Sequence, residues 1–165
     1  MNRTKAPLTL LAVSHIGLVA GLLLTFDQLP ERVASHFNFA GQPDNWMSRT
    51  NHVWTMGGVA VGLSTLMLGS FYCVRFFPPA AINLPRRDYW LASARREETF
   101  TFVFRAGMWL AGLEALFMLG LHLLVVAANA SSPPQLSSSI WLLAGLFLAC
   151  VGGWVWMVVR RFNPA

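Results

Sequence analysis

The chain has 165 residues, of which 55% are hydrophobic and only 12% are charged, and its formal net charge is +5. A soluble domain of this size cannot bury so much apolar surface, so the composition excludes an ordinary soluble protein and leaves no room for a separate catalytic module. The positive charge does not indicate a nucleic-acid partner. Ten of the twelve basic residues lie beside the ends of apolar stretches, where they set orientation.

Four apolar stretches divide the chain, and each has about the length that a helix needs to cross a bilayer at 1.5 Å per residue. The sequence therefore predicts an all-α, polytopic membrane protein with a single integral membrane domain over residues 1–165. The first stretch ends without a small-residue cleavage pattern, so we interpret it as a retained helix rather than a signal peptide. The predicted helices cover about residues 8–26, 53–77, 101–128 and 139–161.

The basic residues fall on one predicted side of the membrane. Residues 27–52 carry three acids against two arginines, and residues 129–139 carry no charge. The positive-inside rule therefore places both termini in the cytoplasm and the loop between the first two helices outside. The cytoplasmic basic residues are Arg3, Lys5, Arg75, Arg86, Arg87, Arg95, Arg96, Arg105, Arg160 and Arg161.

Each predicted helix carries small residues at a spacing of four. Because apolar side chains gain little by leaving lipid for one another, membrane helices associate where small residues let their backbones approach. The rows predict a compact four-helix bundle, although glycine and alanine are also simply common in membrane helices. The rows are Gly17 and Gly21; Gly58 and Gly62; Gly107, Ala111 and Ala115; and Gly145, Ala149 and Gly153.

Glu114 is the only acid inside a predicted span, and a carboxylate in hydrocarbon must be paired, protonated or beside water. Under the predicted topology His15 lies at nearly the same depth, about 11 to 12 Å into the membrane, so the two side chains are expected to pair. Ser70 lies near that level. The pair is interpreted either as a structural hydrogen bond that fixes helix register or as a proton-linked or ligand-binding site. His122 is predicted to be a membrane-interface histidine.

The loop between the first two helices combines turn formers and aromatic residues, so we expect an ordered cap on the bundle. Pro30 suits the first position of a helical turn. Residues 36–40 alternate polar and apolar, which predicts an extended segment with His36 and Asn38 on one side. Residues 41–45 have the chemistry of a tight turn, with Pro43 at its first central position.

Four residues of this loop are the candidate ligand-binding or partner-binding site: His36, Asn38, Asp44 and Trp46. The polar members, with His52 or His122, could form an external polar pocket or a loose metal site. Their spacing matches no tight ligand motif, so hydrogen bonds that hold the cap are the preferred interpretation and neither a metal nor a cofactor is predicted.

The predicted cytoplasmic loop between the second and third helices is basic and aromatic. Such a segment suits anionic lipid headgroups, so membrane lipids are expected partners, and a docking surface for a protein is the alternative. A solvated stretch that merely lies on the membrane is the third interpretation. The residues concerned are Arg86, Arg87, Tyr89, Trp90, Arg95 and Arg96.

Two runs carry a resemblance to a known family. The run LPERVASHFNFAGQPDNWMSR at residues 29–49 and the run NLPRRDYW at residues 83–90 resemble segments of small bacterial four-helix membrane proteins of unknown function. The first segment also occurs in proteins similar to SdpI. The resemblance implies a multi-pass protein of the bacterial cytoplasmic membrane. It also implies immunity to a secreted toxin, or signalling through a recruited repressor.

The chain has no nucleophile and base pair, no phosphate-binding glycine loop and no zinc-protease motif, so no enzymatic activity is expected. The leading hypothesis is a membrane protein that binds a peptide, a lipid or a partner on its external face. One alternative is an accessory structural subunit of a larger membrane complex, and a protein partner or a homo-oligomer is expected. The other is a small proton-linked carrier that uses Glu114.

Overall fold

A computed structural model describes residues 4–163, which are mostly helical. Four of the helices, namely the first, second, fourth and fifth, are long and apolar enough to cross a membrane, so the prediction of a multi-pass membrane protein is confirmed at that level. In chain order the elements are α1 (Lys5–Leu24), β1 (Arg32–Phe37), β2 (Pro43–Ser48), α2 (Arg49–Cys73), α3 (Arg87–Trp90), α4 (Arg96–Asn129) and α5 (Ser139–Phe162). Arg3, one of the predicted cytoplasmic residues, lies outside the described residues.

The second predicted helix lies four residues earlier than expected, at Arg49–Cys73 instead of 53–77, and the third is longer than expected. Helix α2 begins at Arg49 rather than at 53, because the Ser48 side chain caps it by accepting a hydrogen bond from the Asn51 amide at 3.2 Å. Helix α4 covers Arg96–Asn129 rather than 101–128, with Glu97 and Glu98 in its first turn, where the helix dipole favours acids.

The prediction of an all-α chain is wrong for residues 32–48, where β1 and β2 form an antiparallel hairpin. The helical turn expected at Pro30 is absent, and the predicted extended segment lies earlier, over Arg32–Phe37. The chain turns at residues 38–42 because the Asn38 side chain accepts hydrogen bonds from the Ala40 and Gln42 amides, both at 3.0 Å. Pro43, expected in the turn, therefore begins β2.

Helix α4 is the central helix of the molecule, and α1, α2 and α5 all pack against it. Helix α1 makes far less contact with α2 than with α4. A cluster of buried apolar side chains joins α1, α2 and α4: Leu18, Leu22, Met56, Ala60 and Met118. The most apolar stretch of α5 contains no residue that is buried against the rest of residues 4–163, so α5 lies at the edge.

The small-residue rows divide into inward and outward rows. A Cβ at Gly107 would lie 2.8 Å from Phe71 Cγ, and one at Gly112 would lie 2.9 Å from Leu10 Cγ, so α4 approaches its neighbours at these glycines. The rows of α2 and α5 behave differently, so the prediction that all four rows pack one bundle is wrong. A Cβ on any of four glycines would meet no atom of residues 4–163 within 4 Å: Gly58, Gly62, Gly145 and Gly153.

Replacing Gly112 by leucine is expected to lower the free energy of unfolding by about 1–3 kcal/mol, because the new side chain must displace Leu10 and the α1 backbone. The same substitution at Gly62 or Gly153 meets open space and is expected to leave stability nearly unchanged. Unfolding in mixed detergent micelles, followed by circular dichroism, measures the difference. An equal loss at all three sites would contradict this assignment of inner and outer faces.

Candidate functional site

The base of the hairpin is held against the end of α4. The Ala34 amide donates to Asn129 Oδ1 at 2.8 Å, and Asn129 Nδ2 donates back to the Ala34 carbonyl at 3.0 Å. Val33 is fully buried against Val125 and Val126. One asparagine thus satisfies both backbone groups at Ala34 on β1, which fixes the hairpin relative to α4.

The tip of the hairpin is held by the segment between α4 and α5. Gln135 Nε2 donates to the Ala40 carbonyl at 2.8 Å, and the Leu136 amide donates to the Gly41 carbonyl at 2.9 Å. Gly41 has a φ of 76°, and a Cβ there would lie 2.6 Å from the Leu136 oxygen. Only glycine therefore permits both the turn and the close approach of the two segments.

A cleft of about 580 Å³ separates the hairpin tip from residues 135–141; we call it the hairpin cleft. Phe39 from the tip and Trp141 from the first turn of α5 stack along it, with ring centroids 6.0 Å apart and ring planes within 2°. Phe39 is 90% exposed and Trp141 is 56% exposed. The cleft therefore presents a large aromatic surface that residues 4–163 leave uncovered.

The polar part of the hairpin cleft is an imidazole and carboxylate pair. His36 Nδ1 donates to Asp44 Oδ1 at 2.5 Å, and both side chains are largely exposed. Because the carboxylate accepts at Nδ1, His36 keeps Nε2 available, as an acceptor when the ring is neutral and as a donor when it is protonated. The pair can bind a hydrogen-bonding group beside the aromatic surface.

The structure places three of the four predicted loop residues, His36, Asn38 and Asp44, in the lining of the hairpin cleft. The fourth, Trp46, lies on β2 opposite Ala34, with the Arg32 guanidinium 5.4 Å from its ring centroid, and it is not part of the lining.

Sequence reasoning missed the opposite wall of the hairpin cleft, which Gln135, Trp141 and their neighbours form. Trp141 could be predicted only as an interfacial aromatic, because nothing in its local pattern connects it with a loop about a hundred residues earlier.

The proposed grouping of His36 with His52 or His122 is wrong, because the latter two lie inside the helix bundle. Thr25 donates its hydroxyl to the Gly21 carbonyl at 2.8 Å, so His122 Nε2, 2.7 Å away, donates to Thr25 Oγ1. His122 Nδ1 then accepts from His52 Nε2 at 3.3 Å. His122 is fully buried, at the end of the bundle that adjoins the hairpin. Within residues 4–163 no three His, Cys, Asp or Glu side chains are grouped so as to hold a metal.

His15 and Glu114 lie at the same level of the bundle, but among residues 4–163 no direct ion pair joins them. Ser64 of α2 stands between them: its Oγ lies 3.0 Å from His15 Nε2 and donates to Glu114 Oε2 at 2.9 Å. Ser70, which was expected near this level, is exposed and donates to the Leu66 carbonyl.

The predicted cytoplasmic surface is basic, but Trp90 is not part of it. Trp90 is buried, its Nε1 donates to the Phe162 carbonyl at 3.3 Å, and the Arg161 guanidinium lies 4.4 Å from its ring. It therefore fastens α3 to the end of α5. Arg96 is half-buried and donates to the Arg75 carbonyl at 3.4 Å.

The other side chains of this surface are exposed or half-buried. Arg86, Tyr89 and Arg95 are exposed, and Arg95 lies 4.1 Å from the Tyr89 ring centroid. Arg87 is half-buried and donates to the Ala80 carbonyl at 3.3 Å. Three arginines and a tyrosine therefore remain for contact with lipid or a partner.

One comparison with known proteins gives a match. A family model described as "Domain of unknown function (DUF1648)" matches residues 14–61, which run from the middle of α1 through the hairpin into α2. The match contains His36, Asn38 and Asp44 but not residues 135–141. Comparisons with curated proteins and with solved structures gave no match. The match is compatible with a small membrane family of unknown function.

Replacing Gly41 by alanine is expected to detach the hairpin tip from residues 135–136. The added methyl group overlaps the Leu136 oxygen, and the left-handed backbone costs roughly 1–2 kcal/mol. Amide hydrogen exchange of Leu136, Ala40 and Gln42 is expected to accelerate about tenfold or more, while α4 keeps its protection. Gly58→Ala, made where a Cβ meets open space, serves as the matched control. Unchanged exchange in the Gly41 variant would refute the docking role of this glycine.

Proposed function

We propose that this chain is a non-enzymatic membrane protein that binds an extended peptide segment in the hairpin cleft, on the external face of a bacterial cytoplasmic membrane. The observation that carries the proposal is the exposed aromatic surface of Phe39 and Trp141 beside the His36 and Asp44 pair. Apolar surface with a few polar groups at its rim is typical of binding sites.

The two walls of the hairpin cleft are fixed before any ligand arrives. Asn129 holds the base of the hairpin, and Gln135 and Leu136 hold its tip. A preformed site loses little conformational entropy on binding, because its side chains and loops are already ordered. This supports a recognition site rather than a flexible connector between helices.

The chemistry of the hairpin cleft favours a peptide over an anionic lipid. The lining of the cleft contains the acid Asp44 but neither lysine nor arginine, so it offers no fixed positive charge to a phosphate headgroup. A peptide offers an apolar side chain for the aromatic surface and backbone groups for His36 Nε2 and the Asp44 carboxylate. The resemblance to SdpI makes a secreted peptide toxin one named version of this ligand.

The positive-inside rule supports the external location of the hairpin cleft. Helix α1 runs parallel to α4, because Leu10 lies beside Gly112 and Gly21 lies beside Leu119. Helix α2 runs antiparallel to α4, because Phe71 lies beside Gly107 and Ser64 contacts Glu114. Helix α5 is also antiparallel, because Leu143 lies beside Gly120 and Trp154 contacts Ala106. Lys5 and the arginines of α3, α4 and α5 therefore lie at the opposite end of the bundle from the hairpin. We propose that this basic end faces the cytoplasm, with both termini.

A second candidate function is that of an accessory subunit in a larger membrane assembly. The outward glycine rows of α2 and α5 favour it, because they offer flat surfaces on which another helix can pack closely. A protein with that role alone would have no need of the hairpin cleft.

Selection of displayed random peptides tests the proposed function. The protein is held in lipid nanodiscs, and empty nanodiscs remove peptides that bind lipid. The selected peptides are expected to share an aromatic or large aliphatic residue, and Trp141→Ala or Phe39→Ala is expected to weaken their binding about tenfold or more. Trp156→Ala, at an equally exposed tryptophan of α5 outside the cleft lining, is the matched control.

The selected peptide also tests the proposed orientation. It is expected to bind to spheroplasts, which present the external face, and not to inverted membrane vesicles. Binding to inverted vesicles alone would reverse the topology. Failure to select any peptide, or equal binding by the Trp141 and Trp156 variants, would exclude the hairpin cleft as a peptide site.

A further inference from the structure

Glu114 is buried on the face of α4 that contacts α1 and α2, with 5% of its surface exposed. Its Oε2 accepts a hydrogen bond from Ser64, but no residue that the structure describes gives a hydrogen bond to its Oε1. An ionised carboxylate in hydrocarbon with one unsatisfied oxygen is costly. A purely structural hydrogen bond therefore does not account for an acid at this position.

His15 extends the polar contact toward the surface of α1. Its Nδ1 lies 2.8 Å from the Leu11 carbonyl and its Nε2 lies 3.0 Å from Ser64 Oγ. A carbonyl oxygen only accepts, so Nδ1 carries a hydrogen. The Ser64 hydroxyl has one hydrogen to give. It also lies 3.5 Å from the Ala111 carbonyl, but its hydrogen joins the three side chains only when it points to Glu114 or to His15.

Two hydrogen-bonded arrangements follow from that single hydroxyl hydrogen. If Ser64 donates to an ionised Glu114, then His15 Nε2 must donate to Ser64, and the imidazole is positively charged. If Glu114 is protonated, it donates to Ser64, and Ser64 donates to the lone pair of a neutral His15. Both arrangements have the same net charge and the same number of protons.

The two arrangements interconvert by two short proton movements. The proton on His15 Nε2 moves to Ser64 Oγ while the Ser64 proton moves to Glu114 Oε2, so two bonds to hydrogen break and two form. Because each movement follows an existing hydrogen bond of about 3 Å, no side chain has to change place.

His15 is the least buried member of this set. It is half-buried and lines a groove of about 410 Å³ on the surface of α1, together with Ile16, Val19, Ala20 and Leu23. Glu114 and Ser64 are buried. A proton that reaches the carboxyl group by this route therefore passes through His15.

We propose that His15, Ser64 and Glu114 form a proton relay inside the membrane-spanning bundle, through which a proton passes between His15 and Glu114. The relay is independent of the hairpin cleft. When the three residues together take up one more proton, their net charge rises by one.

Among residues 4–163 no other charged group faces the relay. Helix α1 contributes His15, α2 contributes the uncharged Ser64, and α5 has no acidic or basic residue before Arg160. On α4 the neighbouring charged or titratable residues are Arg105 and His122, about 13 and 12 Å along the helix. Proton uptake at the relay is therefore a local property of the three residues.

Infrared spectroscopy of the full chain in nanodiscs tests the relay. We expect a carbonyl band of a protonated carboxyl group that disappears in Glu114→Gln and loses intensity as the pH rises. In deuterated buffer this band shifts as the proton exchanges. Exchange is expected to slow about a hundredfold in Ser64→Ala and His15→Phe, because each breaks the only hydrogen-bonded route.

Matched variants separate the relay from a structural role. Ser64→Thr retains a hydroxyl and is expected to keep exchange near the original rate, while His36→Gln removes a histidine of the hairpin and is expected to change nothing. Unslowed exchange in Ser64→Ala would overturn the relay, as would the absence of a protonated Glu114 at every pH. Loss of the band on adding sodium at constant pH would also overturn it, because the carboxylate would then be a sodium site.

Discussion

The hydrocarbon of a membrane offers no hydrogen-bond partners, so each polar side chain on α4 must find its partner within the protein. Glu114, His122 and Asn129 follow one another at intervals of about two helical turns, which places them on one face of α4. Their partners lie on three elements: Ser64 on α2, Thr25 at the end of α1, and the Ala34 backbone on β1. We call these three residues the polar face of α4. Their hydrogen bonds fix the hairpin, α1 and α2 relative to α4.

The polar face of α4 also relates the two sites that we propose. Asn129, at one end, holds the hairpin in the position from which Gly41 reaches Leu136, so the hairpin cleft depends on it. Glu114, deeper in the bundle, carries the relay to His15. Between them, His122 is hydrogen-bonded to Thr25 and to His52 inside the bundle. The same face thus contains a docking contact, a structural contact and a protonatable group.

The four spanning helices could be predicted because their apolar length is a local property of the sequence. The hydrogen-bond partners that side chains find on neighbouring helices could not be predicted. Ser64 is one of several hydroxyls on α2, and only the axial offset between α2 and α4 selects it over Ser70. The hairpin was not predicted. The predicted extended segment and turn lie a few residues too late in the chain, because the Asn38 side chain and the Asn129 contact decide where the chain turns. Gly62 and Gly153 have the same spacing as inward glycines, and only packing shows that they face outward.

A double-mutant cycle between Thr25 and His122 tests the central claim most directly. Thr25→Val, His122→Phe and the double variant are unfolded reversibly in mixed lipid and detergent micelles, and their free energies of unfolding are compared. If the polar face of α4 holds α1 in place, the two substitutions are non-additive, with a coupling energy of about 1 kcal/mol, as expected for a hydrogen bond within a membrane. Additive losses would mean that Thr25 and His122 do not depend on each other, and would contradict the account.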